Sequence, residues 1–156
     1  SPLLPAAQLE IEVEIPQLAV AEYHRPYVAL WLEQNGQYVA NLSVWYDIKM
    51  KGSEGEKWLK DMRQWWRRSG RTLEFPVDGV SAATRAPGVH TLSYSASDVA
   101  LQNLQAGEFQ LLVEAAREVG GRELLRIPLQ WPISQQQTGE AHGSHELGRV
   151  TATLTP

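Results

Sequence analysis

The chain reads as an all-β protein, an immunoglobulin-like antiparallel β-sandwich of about seven strands with one short amphipathic helix inserted near residues 56–68. Three observations predict this. Short segments alternate apolar and polar residues with period two. Turn residues separate them, most clearly Asn35-Gly36. One stretch breaks the period and places its apolar residues at helical spacing.

The elements follow in order. Leu9 to Ile15 alternates apolar with acidic residues, as a strand with one wet face does, and Pro16 ends it. Tyr27 to Glu33 and Tyr38 to Tyr46 flank Gln34-Asn35-Gly36-Gln37 and form a hairpin. Val89 to Ser95 and Glu108 to Ala115 read as a second hairpin, with residues 103–107 as its turn. Leu124 to Trp131 carries Pro128, which suits an edge strand, and Gly148 to Leu154 closes the set. In the helical stretch Trp58, Leu59, Met62, Trp65 and Trp66 make one stripe, and Lys57, Lys60, Asp61, Arg63, Gln64 and Arg67 cover the other side. Ser53 is placed to cap it, with Glu54 and Glu56 in its first turn and Arg67, Arg68 and Gly70 at its end. The stripe serves either as a lid over one open end of the sandwich or as a stacking wall, in which Trp65 or Trp66 faces a planar ring.

Composition bounds the function. The 156 residues, 43% of them apolar, are enough for one domain with one core, spanning 1–156. The net charge of -4 is the wrong sign for a phosphate-backbone binder, and the 14 Lys and Arg form no run longer than a pair, so no nucleic-acid partner is expected. No window approaches the roughly 20 apolar residues of a membrane helix, so no membrane insertion is expected. Zero Cys excludes disulfides, thiolate metal sites and thiol catalysis within the chain. The Gly-x-Ser-x-Gly elbow and glycine-rich phosphate loops are absent, which argues against a hydrolase and a Rossmann or P-loop nucleotide site. No residue is assigned a catalytic role and no metal site is expected.

The segment Asp78-Gly79-Val80-Ser81-Ala82-Ala83-Thr84 reads as a loop before the strand that Pro87-Gly88 introduces. Ser81, Ala82 and Ala83 are small enough for another protein's active site to close over the Thr84 hydroxyl. Asp78 is placed to bind a metal or orient that hydroxyl during phosphoryl transfer, and Arg85 to neutralise the phosphodiester that results. The same residues also make an ordinary turn. His24, between Tyr23 and Arg25, either faces a flavin or haem edge or hydrogen-bonds a strand end. His142 and His145, with Glu140 and Glu146 beside them, stand near enough to share a metal, or form a solvated mobile loop. His90 is expected on the wet side of its strand.

The pattern Asp-x-x-Ser-x-Ala-Thr, here Asp78, Ser81, Ala83 and Thr84, resembles the attachment motif of domains modified by the bacterial FAD:protein FMN transferase; the usual motif has Gly where this chain has Ala82. Most of the chain also resembles the predicted periplasmic domain-of-unknown-function family 2271. The resemblance rests on residues 21–31, the Lys57-Trp58-Leu59 to Trp65-Trp66-Arg67 segment, residues 83–88, Gly107-Glu108-Phe109, residues 114–118 and Glu146-Leu147-Gly148.

The resemblance implies a periplasmic protein behind a removed signal peptide, with FMN held covalently on Thr84. The implied partners are a flavin transferase and a PepSY-type membrane reductase or another periplasmic redox protein, and the implied role is electron transfer. A second reading is a cofactor-free immunoglobulin-like binding module, whose docking patch for a protein or small ligand is the aromatic helix with Tyr23 to Tyr27. A third is haem or metal carriage through His24, His142 or His145.

Overall fold

The computed structural model describes residues 7–21, 23–117 and 120–156. Nine strands form among them: β1 (Gln8–Ile15), β2 (Tyr27–Gln34), β3 (Gln37–Tyr46), β4 (Ser81–Ala83), β5 (Gly88–Ser95), β6 (Gly107–Ala116), β7 (Arg122–Trp131), β8 (Gln137–His142) and β9 (Arg149–Thr155). They make a four-stranded sheet in the order β5-β1-β9-β8 and a five-stranded sheet in the order β4-β3-β2-β6-β7. The two sheets pack as a β-sandwich. Its neighbour relations are immunoglobulin-like: β3-β2-β6-β7 matches the C′-C-F-G order, and β1 lies beside β5 as strand B lies beside strand E. The place of the first immunoglobulin strand, on the other side of β1, is filled by β9 from the far end of the chain.

Alternation decides which side faces in. Leu9, Ile11, Val13 and Ile15 of β1 are buried between the sheets, while Glu10 and Glu12 stay exposed. β2 is covered on both faces and reads as a near-continuous apolar run. Its Val28, Leu30 and Leu32 join the core between the sheets, and its Ala29 and Trp31 join a second core on the outer face of the five-stranded sheet. Asn35 and Gly36 take the positive φ values of 55° and 73° that a two-residue hairpin turn needs. β7, with Pro128, is an edge strand as expected.

Four expectations are corrected. β5 and β6 are not a hairpin: β5 pairs with β1 in one sheet, and β6 pairs with β2 and β7 in the other. Between them Asp98 accepts the Ser95 N–H at 2.8 Å, and the short helix α2 (Val99–Gln102) buries Leu101 as the chain crosses over. The expected helix over 56–68 is two pieces, 3₁₀ turns over Lys51–Asp61 and the α-helix α1 (Arg63–Arg68), broken at Met62 (φ -80°, ψ 78°). These pieces lie across the face of the five-stranded sheet rather than over an open end, with Leu59, Met62 and Trp65 in the second core. Glu114 of β6 anchors them, its carboxylate accepting the Gln64 and Trp65 N–H groups at 3.1 and 2.7 Å. Burial raises the pKa of Glu114, and those two N–H donors oppose the shift. Third, two strands go beyond the expected seven, β4 and β8. Fourth, His90 turns inward: its ring lies edge-on to Trp45 at 5.9 Å, and its Nε2 sits 2.7 Å from the Ala86 carbonyl oxygen.

The His142–His145 segment is likewise tied down. His142 ends β8 and contacts Glu140, which also takes Arg149 at 2.7 Å. Glu123 of β7 accepts the backbone N–H groups of Ser144, His145, Glu146 and Leu147 at 2.8–3.3 Å. Burial alone would raise the Glu123 pKa, but these four donors outweigh it and hold the carboxyl below its ordinary value. A depressed carboxylate pKa contributes stability above the unfolded value, and that contribution is lost as pH falls through the folded value. Thermal melts of Glu123→Gln should therefore show a lower Tm than wild type near neutral pH, with the gap closing below about pH 4. A gap that persists unchanged in acid would contradict this role.

Candidate functional site

The strand register brings four chain segments to one end of the five-stranded sheet. Tyr27 at the start of β2 pairs with Ala116 at the end of β6, and Tyr46 at the end of β3 pairs with Ala83 at the end of β4. The residues just beyond these ends therefore converge. They surround a cavity of about 280 Å³ lined by Tyr23, His24 and Arg25 before β2, Asp47 after β3, Thr84 after β4 and Arg117 after β6. Met50, Trp58 and Asp61, from the 3₁₀ region and its approach, line it as well. A small-ligand pocket starts at about this size, so the cavity suits one compact group rather than a large molecule.

Two contacts fix the 3₁₀ segment against the sheet. The Tyr27 hydroxyl donates to the Gly55 carbonyl at 2.7 Å. Gly55 is buried so close to Asp47 that an added Cβ would sit 2.0 Å from the Asp47 carbonyl oxygen. On its other side the Tyr27 ring meets Tyr46 edge-on at 6.4 Å.

The charges on the lining are mixed: Arg25 and Arg117 are cationic, Asp47 and Asp61 anionic. Arg117 is held by Glu146, its Nε donating to Oε2 at 2.7 Å and its Nη2 to Oε1 at 3.3 Å. Its Nη1 and the Tyr23 hydroxyl are buried and make no hydrogen bond among the described residues. Burial raises the Tyr23 pKa, against the opposing fields of Arg117 and Arg25, which keeps the phenol a protonated donor at neutral pH.

Of the residues singled out from the sequence, Thr84 and His24 come together in this cavity. Tyr23, Tyr27 and Trp58, from the docking patch expected of a binding module, line it too, whereas Asp78, Ser81, Ala83, Arg85, Trp65 and Trp66 do not. Asp78 is exposed in the turn before β4, where Gly79 takes φ 73°. The Ser81 Oγ accepts the Val77 N–H at 2.8 Å and closes that turn. Ser81, Ala82 and Ala83 form β4 itself, an edge strand parallel to β3, where a loop was expected. Ala83 is exposed and Ala82 packs on the core between the sheets. Positive φ among described non-glycine residues is confined to Asn35 and Ser53, so Ala82 needs no glycine-like backbone. The Arg85 guanidinium lies over the Trp45 ring at 5.2 Å and does not join the cavity lining.

The tryptophans are also redistributed. Trp65 is fully buried in the second core, its Nε1 donating to Asn41 Oδ1 at 2.9 Å, and Trp66 packs on it at 6.1 Å. Trp58 is the one that reaches the cavity, because the break at Met62 separates it from the α-helical part of the stripe. Asp47, Asp61 and Arg117 were not picked out as site residues, since only the register of β2, β3 and β6 brings them together.

Among the described residues no group of three or more His, Cys, Asp or Glu stands placed to hold a metal ion, and no helix is long and apolar enough to cross a membrane. No curated protein and no solved structure matches the chain significantly. A family model described as a predicted periplasmic protein, domain of unknown function 2271, matches residues 8–149. The chain therefore belongs to this family of predicted periplasmic proteins.

Proposed function

We propose that this protein carries FMN as a phosphoester on Thr84 and serves as an electron-transfer domain of the periplasm. The observation that carries the reading is that Thr84, the hydroxyl at the end of the motif-like segment, opens onto a cavity it shares with His24, Tyr27 and Trp58. The residues present suit the group. Thr84 supplies the ester oxygen, Arg25 and Arg117 supply positive charge for a phosphate, and Tyr27 and Trp58 supply aromatic surface for part of a ring.

Attachment is phosphoryl transfer by a flavin transferase. The Thr84 Oγ attacks the FMN-side phosphorus of FAD, the anhydride P–O bond breaks, AMP leaves, and the hydroxyl proton passes to a base of the transferase. The position of Thr84 just after a three-residue edge strand leaves its backbone outside the paired centre of the sheet. Once attached, FMN supplies the redox chemistry, and the chain's residues set its access to solvent and its charge surroundings. A PepSY-type membrane reductase or another periplasmic redox protein is the proposed electron donor.

Protein produced together with a flavin transferase is expected to turn yellow and to gain the mass of FMN less water. Thr84→Ala is expected to abolish the gain completely while leaving the fold intact. An unmodified wild type under those conditions would refute the reading and favour a cofactor-free binding module.

A further inference from the structure

Two polar atoms of the cavity have no hydrogen-bond partner among the described residues. The Arg117 side chain is 7% exposed, and Glu146 fixes its guanidinium through Nε and Nη2, so that Nη1 is the nitrogen left over. The Tyr23 hydroxyl is buried and unbonded as well, and both residues line the cavity with Thr84. A buried donor with no acceptor is costly, and such atoms in native proteins ordinarily serve a ligand or a role beyond packing. Here both are donors, one of them is cationic, and a second cation, Arg25, lines the same space.

We infer that this cavity binds a phosphoryl group, whose oxygens accept hydrogen bonds from Arg117 Nη1 and the Tyr23 hydroxyl. A guanidinium held by a carboxylate keeps its remaining N–H in a fixed direction, which suits a tetrahedral oxyanion. Asp47 and Asp61 on the same lining hold the affinity for free phosphate down, on the order of millimolar. A phosphate joined to a larger group gains from the aromatic lining. The inference deepens the flavin reading and rests on it for the source of the phosphate, whereas phosphate binding itself is measured on protein carrying no flavin.

The test is a thermal-shift titration of unmodified protein, made without the transferase, against sodium phosphate, FMN, riboflavin and ionic-strength-matched sodium chloride. Phosphate and FMN should raise Tm beyond chloride, and riboflavin, which lacks the phosphate, should not. Tyr23→Phe removes a hydroxyl that makes no hydrogen bond in the free protein, so it should melt like wild type yet need about ten-fold more phosphate for the same shift. Tyr46→Phe is the control: its hydroxyl is also buried, beside Ser81, but lies outside the cavity lining, and its titration should match wild type. The inference is overturned if wild type responds to phosphate no more than to chloride, if riboflavin works as well as FMN, or if Tyr23→Phe titrates like wild type. Wild type that binds phosphate yet gains no flavin from the transferase would reject the flavin reading alone, and attachment to wild type without phosphate binding would reject this inference alone.

Discussion

Trp65→Ala is expected to destabilise the protein by about 3–5 kcal/mol, the range for truncating a large buried aromatic side chain. Trp65 is fully buried and joins the helical cover to the five-stranded sheet in several ways at once. Its backbone N–H donates to Glu114, its indole N–H to Asn41, and its ring packs on Phe75 at 5.9 Å and Trp66 at 6.1 Å. An added Cβ at Gly70 would come within 2.7 Å of that ring, so the chain turns past it with nothing larger than hydrogen. Alanine leaves a cavity there and takes the indole donor from the Asn41 oxygen, leaving it the Ser69 hydroxyl at 3.5 Å. Urea denaturation followed by far-UV circular dichroism measures the loss. Trp66→Ala, at a half-buried position, should cost markedly less. Equal costs for the two, or a loss under about 1 kcal/mol at Trp65, would mean that the helical cover contributes little to the fold.

Gly55→Ala is expected to cost about 2–3 kcal/mol and to disturb the cavity as well. The new methyl would meet the Asp47 carbonyl oxygen at 2.0 Å, a backbone atom that cannot swing aside as a side-chain tip can. Either the 3₁₀ segment lifts off the sheet or the end of β3 moves. The first strains the hydrogen bond from the Tyr27 hydroxyl to the Gly55 carbonyl. Both shift Asp47 relative to Trp58, which line the cavity together. Thermal melting reads the stability loss, and weaker phosphate binding in the same variant reads the change at the site. A Gly55→Ala protein with wild-type Tm would show that the segment is not held by this close approach.

β1 was legible because its burial is one-sided. β1 carries its alternation in the open, and the Asn35-Gly36 turn announces the β2–β3 hairpin by needing positive φ at both positions. The Asn103–Gly107 segment misled for a physical reason: it does end a turn, but α2 before it carries the chain from one sheet to the other, and turn chemistry does not reveal which sheet a strand joins. β4 is three residues of Ser and Ala with no apolar period to read. β8 alternates Gln, Gly and Ala with Thr, Glu and His, a pattern too polar to mark a buried face.

The helical stripe was visible, yet its break was not. Nothing in the spacing of Trp58, Leu59, Met62, Trp65 and Trp66 marks Met62 as non-helical, and the break is what sends Trp58 to the cavity and Trp65 to the core. Thr84 and His24 stood out by chemistry. Arg117 and Asp47 did not, since each is an ordinary residue at a strand end and takes its place in the cavity only through the pairing of Tyr27 with Ala116 and of Tyr46 with Ala83.

The central claim is that Thr84 is the point of attachment, and it is tested most directly on a single peptide. Trypsin cleavage after Arg71 and Arg85 releases residues 72–85, which hold three hydroxyl side chains, Thr72, Ser81 and Thr84. In wild-type protein exported together with a flavin transferase, tandem mass spectrometry of that peptide should place FMN less water on Thr84. FMN on Ser81, on Thr72 or on another peptide, or no FMN at all, would contradict the claim.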